Sequence, residues 1–326
     1  MIRIIILFLI ISMFSFANDN FLILAHRGAS QIFPENTMLS MRGALGTEAA
    51  DYLEMDLQLT KDYVLVVFHD KYLNDVTDVK KKFTKHRARK DGKYYVVDFT
   101  YAELQNLKIT SRYYKILGFR KNLTKFRNYE KYYTNKDNRI PSFQEVIDLT
   151  KAYNKVKKAN VGLYPELKDL DFYRRENRDV TMELVEVLKS NGYKNKKDNI
   201  IIQSFYIDEL QRLKERIFPE YNVEYKTTYL VDTKAENKIL KDKTGNVLSY
   251  IKENIDCLGV SKNKIYGSKK SQEFLNKLKT NNMCIHVYTF NKENVSRGFK
   301  TLDKEILYFK ENLKVNGIFK DWKNYR

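Results

Sequence analysis

The sequence predicts an α/β fold, a (β/α)8 barrel of the TIM type. Three observations point to it. Short runs rich in Val, Ile, Leu and Tyr recur eight times, amphipathic stretches separate most of them, and 326 residues is a length such barrels reach as one domain. With 43% hydrophobic and 13% aromatic residues, 12 Gly and 4 Pro, a disordered or collagen-like chain is excluded. Lys and Arg outnumber Asp and Glu by 59 to 41, so the net charge of +18 favours anionic partners: phosphate compounds, acidic polymers or lipid headgroups.

In chain order, residues 1–17 carry Arg3, an apolar run over 4–11 and small residues at Ser15 and Ala17. That pattern is a secretory signal peptide, cleaved near Ala17, and it places the mature protein in a periplasm or outside the cell. The run is too short to span a bilayer, so no stable membrane insertion is expected. The barrel domain then occupies 18–326, with strands expected over 21–25, 51–57, 161–164, 199–203, 224–231, 255–260, 283–289 and 315–319. Between them, segments such as 141–154 and 180–193 show helical spacing, the second ending in Asn191-Gly192 as a helix stop.

A further strand over 64–69 breaks the alternation, because only Thr60, Lys61, Asp62 and Tyr63 separate it from the second strand. So short a link permits a hairpin but no parallel crossover. With the turn centred between Lys61 and Asp62, His69 falls opposite Glu54; a shift of one residue would turn it away. Residues 71–140 follow, with a basic run over 79–93, many tyrosines and no clear period. They are expected to form an insertion capping the barrel mouth after the second strand. No nucleic-acid motif accompanies the basic run, so a solvated flap or a guide for anionic substrates is expected instead. Cys257 and Cys284 are too few for a disulfide scaffold and are expected as buried thiols, a bridge requiring both side chains on one face. No CxxC or Cys/His cluster with zinc spacing marks a structural zinc site.

The candidate chemistry gathers at strand ends, where barrel enzymes place catalytic groups. His26-Arg27-Gly28 closes the first strand, with Arg27 offering a fork for phosphate oxygens. Glu54 and Asp56, two apart on a strand, project from one face, and adjacent carboxylates inside a barrel call for a cation or a shared proton. Glu166 and Lys168 repeat that spacing and add a third oxygen ligand and a cation. Such oxygens suit one divalent cation, Ca2+ or Mg2+. His69-Asp70 ends the hairpin with a group that titrates near neutrality beside an acid that can orient it, whereas His86 and His286 are expected to be structural.

Together HRGASQIFPENT (26–37), YLEMDLQLTKD (52–62), VVFHDKYLNDVTDV (66–79), YPELK (164–168) and NGIFKD (316–321) resemble, in order and spacing, the glycerophosphodiester phosphodiesterases. The segment RARKDGKYYVVDFT (87–100) is similar to one in their periplasmic bacterial type, and the likeness covers nearly all of 18–326. The resemblance implies a capped barrel that hydrolyses glycerophosphodiesters to sn-glycerol 3-phosphate and an alcohol. It implies His26 and His69 as the acid/base pair, Glu54, Asp56 and Glu166 as ligands of one divalent cation, Ca2+ before Mg2+, and Arg27 and Lys168 near the phosphate. Gln203, Tyr288 and Asp321 follow from the resemblance as weaker candidates for the substrate pocket. Lys320 replaces the usual Thr before the final Asp, and Tyr288 the usual Trp. The expected partners are small glycerophosphodiesters, not nucleic acid, and the oligomeric state stays open. Two rivals also stay open: a related barrel acting on intact phospholipid, and a binding protein on a retained barrel, which only the positive charge supports.

Overall fold

A computed structural model gives the structure of the chain and describes residues 21–109, 113–116, 119–122 and 137–321. The signal peptide expected over 1–17 lies outside the described residues. Eight parallel strands close into a barrel: β1 (Leu22–Ala25), β2 (Tyr52–Leu59), β6 (Gly162–Leu167), β7 (Ile201–Ser204), β8 (Lys226–Val231), β9 (Cys257–Ser261), β10 (Cys284–Phe290) and β11 (Gly317–Lys320). Closure comes from β1, which pairs with β11 on one side and β2 on the other. All eight barrel strands lie where the apolar runs predicted them.

Both faces of a barrel strand are covered, which is why β2 is buried along its whole length. Its odd positions Leu53, Met55 and Leu57 join the main core beneath the helices, while Tyr52, Glu54 and Asp56 face the barrel axis. Helix starts are fixed by local caps. Thr37 caps the helix Met38–Gly46, and Ser142 forms a reciprocal capping box with Glu145 at the start of Phe143–Lys157. Among the described residues, no helix is long and apolar enough to cross a membrane.

The hairpin forms, but its register differs from the expected one. The short antiparallel strand β3 (Leu65–Val67) pairs Leu57 with Val67 and Leu59 with Leu65, one residue away from the arrangement that would set His69 against Glu54. The cause is a three-residue loop in place of a two-residue one: Thr60 and Val64 pair through their backbone, and Tyr63 takes a left-handed conformation with φ 61°. His69 nonetheless reaches the barrel mouth, because the ladder stops at Val67 and the chain bends after Phe68.

Between β3 and the helix Phe143–Lys157 the chain builds a second apolar cluster, in which Leu73, Val76, Val96, Phe99 and Leu107 pack on Val66 and Phe68. A small hairpin of β4 (Tyr113–Ile116) and β5 (Phe119–Asn122) follows. Arg89 ties this region to the barrel by pairing with Asp98 and Glu176 and by stacking on Tyr95.

The expectation of buried thiols is corrected: Cys257 and Cys284 are joined by a disulfide. They are register partners on neighbouring parallel strands with Cα atoms 4.5 Å apart, so both side chains leave the ladder on the same face.

Candidate active site

The C-terminal ends of the barrel strands surround a cavity of about 200 Å³. Its polar wall holds His26, Arg27, Glu54, His69, Glu166, Lys168 and Gln203, and its other wall is Phe205, Leu230, Tyr288 and Phe319. Strand register explains the polar wall. Asp56 on β2 pairs with Glu166 on β6, which pairs with Gln203 on β7, so three polar side chains stand abreast on one rung. Glu54 lies two residues below Asp56, and its Oε1 accepts a hydrogen bond of 2.8 Å from Gln203 Nε2. One carboxylate oxygen from each of Glu54, Asp56 and Glu166 falls within 4.8 Å of the others, and all three residues are buried.

Burial first, and neighbouring charge second, sets the proton affinities of the three acids. Burial pushes Glu54 up to about 7, helped by Asp56 and opposed by His26 and Arg27. Burial likewise pushes Glu166 up to about 8, against the pull of Lys168. Asp56 goes the other way: burial would raise it, but Arg27, His69 and Lys168 outweigh that and hold it well below the usual carboxylate range. Its Oδ1 is buried without a hydrogen-bond partner, with Lys168 Nζ 3.5 Å away. A converging set of hard oxygens, one of them unsatisfied, fits a divalent cation.

The turn after β1 organises the rest. Arg27 has a left-handed backbone, φ 54°, which lets its N–H donate to Glu54 Oε2 at 2.8 Å while its Nε lies 3.1 Å from Asp56 Oδ2. Gly28 follows with φ 77°, and a Cβ there would meet the Ser40 backbone at 2.6 Å. Arg27 Nη1 also donates to Glu35 at 3.2 Å, so this guanidinium braces the acids as well as facing the cavity.

Each imidazole is fixed through Nδ1. His26 Nδ1 bonds to Asp321 Oδ1 at 2.6 Å, and Asp321 is itself held by Ser30 Oγ and Asn291 Nδ2. His69 Nδ1 bonds to Asp70 at 2.5 Å, while Gln58 Nε2 donates to the His69 carbonyl at 3.1 Å. Burial lowers the proton affinity of both rings, but for His26 the adjacent Asp321 wins and the net shift is upward. For His69 burial and Arg27 win over Asp56 and Asp70, and the net shift is downward. Tyr288 stands at the apolar wall with its hydroxyl 3.4 Å from the Val231 carbonyl.

All ten candidate residues, Asp321 included, therefore meet at one barrel end, with Asp56 buried against Arg27 and Lys168 rather than on the cavity wall. Sequence reasoning missed three. Asn36, buried within the PENT segment, donates to Asp56 Oδ2 at 2.8 Å and accepts from the Asp56 N–H at 3.4 Å. Glu35 pairs with Arg27, and Phe205 stands 41% exposed at the mouth. For Asn36 and Glu35 the signal was present in the quoted segment; for Phe205 the only sign was its place directly after β7.

The family model for the glycerophosphoryl diester phosphodiesterase family matches residues 26–322. A glycerophosphodiester phosphodiesterase of Haemophilus influenzae is 38% identical over 212 residues, 64% of this chain and 56% of that protein. One of Treponema pallidum is 30% identical over 236 residues, 70% of this chain and 63% of that protein. The matched stretch thus spans less than two thirds of either relative. In fold, the chain is similar to an Oleispira antarctica phosphodiesterase solved in complex with the product sn-glycerol-3-phosphate, with a TM-score of 0.59 at 21% identity over 92% of this chain and 93% of that one.

Proposed function

The chain belongs to the glycerophosphoryl diester phosphodiesterase family, and on that premise we propose that it hydrolyses glycerophosphodiesters to sn-glycerol 3-phosphate and an alcohol. The observation that carries this reading is the convergence of two carboxylate-anchored imidazoles on one acid cluster inside a single cavity.

Glu54, Asp56 and Glu166 are the residues that would hold a divalent cation, Ca2+ before Mg2+ because three carboxylates converge where Mg2+ is usually held by one or two. When bound, such an ion supplies positive charge to a phosphoryl oxygen and acidity to a neighbouring hydroxyl. Lys168 and the free edge of Arg27 balance the remaining phosphate charge. With Nδ1 of each ring engaged by a carboxylate, Nε2 is the atom left to exchange a proton with substrate. His26, kept protonated by Asp321, donates to the departing alcohol; His69, kept neutral, takes the proton of the attacking oxygen. The attacking oxygen is water, or the glycerol 2-hydroxyl, which expels the alcohol and leaves a cyclic phosphate that water then opens to glycerol 3-phosphate. Phe205, Leu230, Tyr288 and Phe319 give the carbon face of the glycerol an apolar wall. The cap over 71–140 and an exported, periplasmic location belong to the same reading; the first is supported by the separate apolar cluster after β3, the second by the signal-like run at 1–17.

Release of glycerol 3-phosphate from glycerophosphocholine and glycerophosphoethanolamine tests the proposal. His26→Ala and His69→Ala should each lower kcat by about 10² to 10⁴. Full activity in either variant removes that histidine from the reaction, and cleavage of sphingomyelin instead would favour the phospholipid-cleaving rival.

A further inference from the structure

At the opposite end of the barrel from the cavity, three side chains with sulfur and imidazole donors converge. Cys257 opens β9, Cys284 opens β10, and His286 follows two residues later on β10. The register pairs Cys257 with Cys284 and Gly259 with His286, and Tyr288 on the same face lines the catalytic cavity. At about 3.3 Å per residue, the sulfurs sit about 13 Å below Tyr288. His286 is 1% exposed, the two cysteines are half-buried, and one donor atom from each residue lies within 4.8 Å of the others.

We propose that, once the Cys257–Cys284 bond is reduced, Cys257 Sγ, Cys284 Sγ and His286 Nε2 form a site for a thiophilic divalent cation of the Zn2+ class, distinct from the acid cluster. Four features support it. The sulfurs need no disulfide to stay together, because the β9–β10 ladder runs over five registered pairs and begins with the cysteines themselves. The spacing fits: a tetrahedral ion with Zn–S of about 2.3 Å and Zn–N of about 2.0 Å sets sulfur and nitrogen about 3.5 Å apart. Cys284 Sγ and His286 Nε2 are already 3.7 Å apart, so only the bonded sulfurs must swing away from each other. His286 Nδ1 lies 2.9 Å from the Tyr164 hydroxyl, which in turn lies 2.5 Å from Thr228 Oγ1. With Nδ1 donating to Tyr164, Nε2 presents its lone pair to the sulfurs, as a second-shell partner does for a ligating histidine. Finally, half-buried sulfurs leave a path from solvent, and water completes the tetrahedron.

The chemistry balances with a dithiol donor. It passes two electrons and two protons to the bonded sulfurs and closes its own disulfide; the entering cation then displaces both thiol protons to solvent, and the neutral imidazole adds without proton loss. Soft donors below and hard oxygens above sort two cations within one barrel.

Titration of the full chain with Co2+, with and without prior phosphine reduction, tests the site through the sulfur-to-cobalt charge-transfer band, which oxygen ligands cannot produce. With excess Mg2+ present to occupy the acid cluster, the reduced wild type should develop the band to saturation at one equivalent and the oxidised wild type should develop none. Cys257→Ser should abolish it, and His286→Gln should weaken affinity at least tenfold, with circular dichroism confirming that both variants fold. Absence of the band in reduced, folded wild type overturns the proposal, as does a band that His286→Gln leaves unchanged.

Discussion

Asp321→Asn isolates the control of one histidine. Asp321 contacts His26 Nδ1 at 2.6 Å and is itself held by Ser30 and Asn291, so an isosteric amide keeps the packing and removes the charge. A hydrogen bond to a charged group contributes about 1.5–3 kcal/mol. Lost wholly from the step in which His26 carries the proton, that is about 10-fold to 150-fold in kcat. The variant also removes the charge that raises the His26 proton affinity, leaving burial and Arg27 to lower it. The limb of the pH–rate profile that reports protonated His26 should therefore move to lower pH, while KM for glycerophosphocholine stays within about threefold. The assay is continuous glycerol 3-phosphate release across pH. Wild-type kcat and an unmoved profile in Asp321→Asn, beside an inactive His26→Ala, would refute this role for the carboxylate.

Asn36→Ala removes the amide that grips Asp56 and should weaken divalent-cation affinity about 10-fold to 100-fold, read by calorimetry; unchanged affinity would mean that Asp56 holds its place unaided. Since Glu54 is raised to about 7 and Glu166 to about 8, both are protonated in acid and must ionise to ligate, so cation affinity should climb as pH rises through that window, with proton release. The sign for stability is the reverse: these raised carboxyls favour the ion-free fold below their unfolded range and weaken it as pH rises through about 7 and 8, a loss the cation offsets. Equal cation affinity and no proton release across that span would contradict the shifts. The disulfide closes a 27-residue loop, for which chain entropy gives about 3.5 kcal/mol, so Cys257→Ser should lower Tm by on the order of 5–10 °C; a Tm equal to that of the oxidised protein would show the ladder alone sufficient.

The barrel was legible because each strand carries its own apolar run and each crossover its own helical spacing. The acid cluster was legible for a similar reason: Glu54 and Asp56 share a face by parity alone, and His26, His69 and Glu166 stand at strand ends. What escaped depends on geometry between elements. The hairpin loop closes through a left-handed Tyr63, a conformation normally announced by Gly or Asn, so the two-residue turn looked equally good. Whether Cys257 and Cys284 bond depends on the relative stagger of β9 and β10, which neither strand encodes by itself. Asn36 acts on Asp56 across 20 residues, and Asp321, legible only as a pocket candidate, acts on His26 across 295; only the closed barrel brings each pair together. The segment after β3 folds into short helices of three or four residues, too brief to show a period.

The most direct test of the acid cluster as a cation site is hydrolysis of glycerophosphocholine by chelator-stripped protein, with bound metal counted by mass spectrometry. Turnover should vanish with the metal and return on adding one equivalent of Ca2+ or Mg2+ to wild type but not to Glu166→Gln. Undiminished turnover by metal-free protein would contradict it.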